Sequence, residues 1–196
     1  MRNIYIILIL IFSFTILSCA KKSSTSSTAT TTTELEGTWV TNCYASGSSY
    51  YIQTIIVSGT DISKKKEQHT DSSCSTDYVL WEDTYDSLSI GDEVTFADNT
   101  KGHKFTSEVV SFKLTLQSAS AVSATNTATL CGYSDWALNT VKDYSGVTCA
   151  GTAYAVANTS VQGLYNLVGN NLFLGSLNTT GSYPTEVSTS ITYVKQ

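Results

Sequence analysis

Histidine, proline and charge are all scarce in these 196 residues, and each scarcity excludes something. A Ser or Cys nucleophile needs a base to take its proton, and the only imidazoles are His69 and His103. His69 follows Lys64-Lys65-Lys66-Glu67-Gln68, which reads as a solvated strand or loop, and His103 follows Lys101-Gly102 in a turn. G-x-S-x-G is absent, so no catalytic residue is expected and the chain does not read as an enzyme. No C-x-x-C occurs and neither histidine stands at ligand spacing from a cysteine, so neither a metal nor another cofactor is expected. Charged residues make up 14%, against ~25% in an ordinary globular chain. Lys and Arg number 11 against 16 Asp and Glu, for a net charge of −5. With no concentrated basic patch to neutralise phosphates, nucleic acid is not an expected partner.

What is present begins at the N-terminus. Arg2 precedes an apolar run from Ile4 to Leu17 that ends on small residues, the layout of a secretory signal peptide over residues 1–18. The run is short for a transmembrane helix, which needs ~20 apolar residues; an uncleaved anchor is the other reading. Ile16-Leu17-Ser18-Cys19 resembles the lipobox of bacterial lipoproteins, with Leu17 bulkier than usual at its place. The resemblance implies that Cys19 becomes the mature N-terminus, carrying a thioether-linked diacylglycerol and an acylated amine such as a palmitate. Each buried methylene contributes ~0.8 kcal/mol, so several acyl chains would hold firmly in the bilayer. The expected location is the cell envelope, most simply the outer membrane, facing the periplasm or the surface.

Residues 19–33 continue as the lipidated Cys and a run of Ser and Thr, AKKSSTSSTATTTT. Such a segment buries too little apolar surface to offset chain entropy and reads as a disordered tether or a glycosylated stalk. From Glu34 to Gln196 the pattern is that of a single β domain. Short stretches of Val, Ile, Thr, Tyr and Phe alternate with Gly, Asn, Asp and Ser clusters. Strands are expected near residues 37–44, 50–58, 61–68, 78–84, 87–97, 105–117, 162–168, 171–177 and 188–195. Val110, Phe112, Leu114 and Leu116 are expected to share one face, and Gly169-Asn170 marks a hairpin turn. Pro184, the single proline, falls in the last loop. The fold class is therefore all-β, an antiparallel barrel of about eight strands or a related sandwich. One short helix, or a helix-like turn, is expected near residues 134–142, where Ser134 could cap and Lys142 sits in the last turn.

Five cysteines become four once Cys19 is assigned to lipid. Cys43, Cys74, Cys131 and Cys149 allow three connectivities. Cys43–Cys74 and Cys131–Cys149 are favoured because each pair flanks a local hairpin-like or helical stretch. Each bond would contribute roughly 3–4 kcal/mol in the chain-entropy model, in a compartment that permits it. Metal ligation and free thiols are the alternatives.

Gly37-Thr38-Trp39 opens the domain. A G-x-W there resembles lipocalins and lipocalin-like bacterial lipoproteins, and it implies a Trp packed across one end of a β-barrel. Thr76-Asp77-Tyr78 also looks like a second lipocalin motif, but it stands too early after the Trp and reads as coincidence. The succession of G-x-W, an early Cys pair, Cys131-Gly132-Tyr133-Ser134-Asp135-Trp136 and a last Leu-rich hairpin is similar to a group of small bacterial lipoproteins. It implies a fold and transfers no active site; Gly37 and Trp39 are structural.

Carboxylates cluster at Glu82, Asp83 and Asp86 and at Asp92 and Glu93. Adjacent acids on a strand face opposite sides, so these read as a solvated hairpin edge, with weak Ca²⁺ binding as the alternative. Trp39, Trp81, Trp136 and 12 tyrosines are many for this length. They serve core packing, a ligand pocket in a barrel mouth or an exposed binding surface. The expected function is a non-catalytic, membrane-anchored binding module for a small apolar ligand or lipid. The alternative is a surface adhesin or interaction protein with a packed barrel and an exposed aromatic patch.

Overall fold

A computed structural model describes residues 33–96 and 99–196. The signal segment, Cys19 and most of the tether lie outside the described residues. The strands are β1 (Gly37–Val40), β2 (Tyr44–Ser46), β3 (Ser49–Ser58), β4 (Asp61–His69), β5 (Asp77–Thr95), β6 (Lys101–Leu116), β7 (Val141–Asp143), β8 (Thr148–Cys149), β9 (Thr152–Ala153), β10 (Ser160–Val168), β11 (Asn171–Leu174) and β12 (Tyr193–Lys195). Eight of them close an antiparallel barrel in the order β1-β12-β11-β10-β6-β5-β4-β3, because β1 pairs with β12 on one side and with β3 on the other.

Closure rests on four residues. Trp39 stands opposite Lys195 in one ladder and Ile55 in the other. Its ring is 1% exposed, its Nε1–H donates to the Leu35 carbonyl at 2.8 Å, and Lys195 Nζ lies 5.0 Å above it. A flat apolar ring with one polar edge suits this place, where one side meets the core and the indole N–H still finds an acceptor. Gly37, at φ 119°, lets the chain turn into β1 while the Lys195 stem crosses it; a Cβ there would sit 3.2 Å from Lys195 Cε.

Two departures from simple alternation decide what faces inward. β5 is one strand, not the two expected on either side of residue 86. Ser87 takes a left-handed conformation (φ 55°), and the register against β6 shifts around it. The Leu88 amide turns instead to the Thr60 carbonyl at 3.0 Å. On β6, Val109 pairs with Tyr85 and Ser111 with Thr84, so Val110 is an extra residue. This bulge reverses the parity. Val109 is buried at 1% exposure and Val110 is 45% exposed, so Val110 does not share the face of Phe112, Leu114 and Leu116 as expected.

Beyond the end of β10, strand β6 pairs with β7 instead. Helix α1 (Ala119–Thr127) and the segment to Ala155 pack here against Val79, Phe112, Leu114 and Leu116. The helix is not where it was expected. Ser118 caps α1 by accepting the Ala121 amide at 3.1 Å. Residues 134–142 instead form irregular chain leading into β7, with a left-handed turn residue at Asn139: the Trp136 amide donates to Asn126 Oδ1 at 2.8 Å, the Trp136 carbonyl accepts from Asn126 Nδ2 at 3.0 Å, and Leu138 bridges Leu116. A buried Trp136 docked by both backbone groups outweighs a capping Ser and a terminal Lys. The disulfides are Cys43–Cys74, joining the start of β2 to the β4–β5 loop, and Cys131–Cys149, inside the cap.

Truncation of Trp39 tests the closure. Trp39→Ala should cost about 3–5 kcal/mol, the range for a large buried ring, and should expose the β3 and β12 edges. Denaturant unfolding with amide exchange on β1 and β12 measures both effects.

Candidate functional site

The barrel interior divides into two buried clusters. One joins Leu35, Trp39, Ile55, Val57, Leu88, Phe105, Tyr165, Leu172 and Tyr193; the other fills the capped end. A cavity of about 430 Å³ lies within the barrel, inside the ~300–1,000 Å³ range of small-molecule sites. Its wall is mostly apolar, with Leu35, Ile55, Val57, Phe105, Leu172 and Ile191 among the lining residues. Residues 175–192, which carry the chain from β11 to β12, supply a further wall through Gly175, Leu177 and Ser188.

Cross-strand packing shapes this space. Phe105 stands opposite Gly163, and a Cβ on Gly163 would lie 2.3 Å from the Phe105 ring. The absent side chain is what lets that ring lie flat on β10. Polar groups enter the wall at few points. Tyr193 Oη donates to Gln53 Oε1 at 2.7 Å, and Gln53 Nε2 donates to Tyr44 Oη. Ser107 is 2% exposed, and its Oγ has no hydrogen-bond partner.

Charge enters the wall on one strand. On β4 the inward parity is set by Ile62, and Lys64 and Lys66 follow it onto the cavity wall. Lys65 faces the other way and meets Glu82 at 3.4 Å. The Lys run is therefore not the uniformly solvated stretch expected from the sequence. Lys66 Nζ lies 4.4 Å from the centroid of Tyr51 and 5.5 Å from that of Trp81. Its pKa is lowered, first by burial and then by Lys64.

Glu82 and Asp83 fall on opposite faces, as adjacent strand residues must. Asp83 stands opposite Lys64 and Phe112. Burial pushes its carboxyl above the ordinary range, with Lys64 and Lys66 pulling against the shift. Beside it, Tyr85, Tyr144 and Tyr154 pack around Phe112 with centroid distances of 4.6–6.1 Å. Burial raises the Tyr85 and Tyr144 hydroxyls, with Asp83 adding to it. Asp86 pairs with Glu108 in the β5–β6 ladder, and Glu93 is held by Lys101 outside. Among the described residues no group of three or more His, Cys, Asp or Glu converges to hold a metal.

The histidines lie apart. His69 is buried, 3.3 Å from Asp77 Oδ1 but without hydrogen-bonding alignment. His103 stacks on Tyr165 at 5.6 Å and lies 3.9 Å from Glu34 Oε1. Among the described residues neither ring hydrogen-bonds a hydroxyl or thiol. Of the aromatics, Trp39 and Trp136 are buried, and no described Trp or Tyr is exposed. No helix among the described residues is long and apolar enough to cross a membrane.

No protein-family model matches this chain, and no curated protein matches it in sequence. The site therefore has to be read from its own geometry.

A second recess of about 530 Å³ lies outside the barrel wall, between Asn166, Val168 and Phe173 and residues 185–189. It lacks the inner cavity's continuous apolar lining.

Asp83 gives a stability test with a definite sign. Its folded pKa lies above its unfolded one, so the charged carboxyl is the disfavoured form in the folded state, fully so above the folded pKa. Asp83→Asn should therefore raise Tm at neutral pH, and the gain should shrink as pH falls through the carboxylate range. Thermal unfolding of both proteins from pH 7 to pH 4 measures it; an Asn variant less stable at pH 7 would refute the assignment.

Proposed function

We propose that the protein is a lipid-anchored binding module of the cell envelope, with the barrel cavity holding a small apolar ligand or lipid. The observation that carries the reading is the cavity itself, an apolar chamber inside a closed barrel with a few polar groups at fixed places. A packed interior would have favoured a surface interaction protein. Every described Trp and Tyr is at least partly buried, which supports packing over a fully exposed aromatic patch.

The anchor belongs to the same reading. The lipobox-like residues 16–19 and the polar run after them would place the barrel a short tether from the bilayer. At ~5–6 Å times the square root of its length, that tether keeps the module roughly 20 Å from the lipid.

Two measurements test the two halves. Cys19→Ser should abolish incorporation of labelled palmitate and release the protein from the membrane fraction; unchanged labelling would remove the anchor assignment. Native mass spectrometry of the mature Cys19→Ser chain, after exposure to a lipid extract of the source cells, should show a discrete adduct. A clean apo mass across several extracts would count against a small-ligand carrier.

A further inference from the structure

We propose that the cavity selects a single-chain amphiphile with an anionic head group, a carboxylate or a phosphate, whose head is held by Lys64 and Lys66. This rests on the cavity being a ligand site and goes further, by giving the ligand a charge and a polarity of entry.

Among the described residues that line the cavity, Lys64 and Lys66 are the charged ones. An ammonium placed inside a barrel is costly unless something compensates it. Glu82 compensates Lys65 on the outside. Inside, neither Lys64 nor Lys66 has a carboxylate oxygen within 4 Å among the described residues. The nearest acid by register is Asp83, opposite Lys64, and it is one carboxyl against two ammonium groups. The other titratable groups facing this end are Tyr51, Tyr85, Tyr144 and Tyr193, and burial raises the hydroxyls of the last three. With Asp83 charged, the local balance is still one positive charge in excess.

Partial compensation is visible. Lys66 leans on the faces of Tyr51 and Trp81, a cation–π arrangement that strengthens where water is excluded. The pKa of Lys66 is lowered first by burial and then by repulsion from Lys64, and Asp83 only partly offsets them.

The rest of the wall sets the other end of the ligand. Leu35, Ile55, Val57, Leu172, Leu174 and Ile191 present no charge. A volume of about 430 Å³ lies near the lower limit of ligand pockets, ~300 Å³, which suits one alkyl chain and excludes a fully enclosed two-chain phospholipid. Fatty acids and single-chain phosphates share this chemistry.

The test uses the mature Cys19→Ser chain and a matched pair of fluorescent probes, cis-parinaric acid and its methyl ester. The acid should bind about tenfold or more tightly than the ester, a difference of ~1.4 kcal/mol or more. In Lys64→Met/Lys66→Met, which keeps the apolar stems, acid binding should fall to the level of the ester while ester binding persists. Displacement by dodecanoate or by dodecyl phosphate, whichever competes at lower concentration, assigns the head group. Equal binding of acid and ester by the wild type would overturn the anionic head and leave the cavity reading standing. A preference that survives the double substitution would overturn the assignment of the head group to Lys64 and Lys66. Failure of both probes would overturn the cavity reading and this proposal with it. If the double variant does not fold, the single Lys64→Gln variant and the wild-type acid-to-ester ratio decide the matter.

Discussion

The barrel depends on one short strand satisfying two neighbours at once. β1 must present its amides and carbonyls to β3 on one edge and β12 on the other, joining the start of the domain to its end. A closed sheet has no unpaired edge to attract another chain, and closure is also what makes an inside. Without β1 the same strands would be an open sheet, and the apolar faces of β3 and β11 would need some other cover. Trp39 makes so short a strand sufficient. Its ring adds burial on the inner face, and its indole N–H ties β1 back to Leu35, the residue that brings the chain to the cavity wall.

Once the barrel is closed, the two irregularities in β5 and β6 determine how the interior is divided. A regular strand would point every second residue inward along its whole length. The bulges at Ser87 and Val110 shift that count, so that Tyr85 and Leu88, and likewise Val109 and Phe112, all reach the inside. On one side of the shift the inner face is filled by Phe112, Leu114 and Leu116 under the cap with Trp136 and Tyr144. On the other side the space stays partly empty. The cap supplies its own rigidity through Cys131–Cys149, so packing there need not draw residues 175–192 into the barrel.

The eight-strand barrel, the hairpin at Gly169 and the cysteine pairs were legible because each follows from local chemistry: alternation, a left-handed turn residue and short cross-links. Val110 and residues 134–142 were not. A bulge adds one residue without changing composition, and nothing in V-V-S-F-K-L-T-L announces which valine is extra. The true helix, Ala119–Thr127, is made of Ala, Ser, Thr, Val and Asn with no apolar stripe, and only Ala121 is buried. It is helical because Ser118 caps it and the cap packs against it, which no window of sequence expresses. Lys64 and Lys66 are a different case. Three consecutive lysines look solvated, yet Ile62 fixes the parity of β4 and puts the first and third inside. That signal was present and was masked by charge.

The inner lysines bear on where the wall can yield. The β3–β4–β5 side that carries them is locked by full ladders, nine pairings between β3 and β4 alone. Residues 175–192 are held to the barrel by far fewer backbone bonds, chiefly Gly175 to Leu164, Asn178 to Gln162 and Ser188 to Leu174. Segments with few backbone bonds open at the lowest cost, and this one leaves the β1–β12 ladder intact when it moves. The rigid wall thus carries the charge that sets orientation, while the weakly bonded wall opposite is lined by Leu177 and Ile191, which ask only for apolar contact.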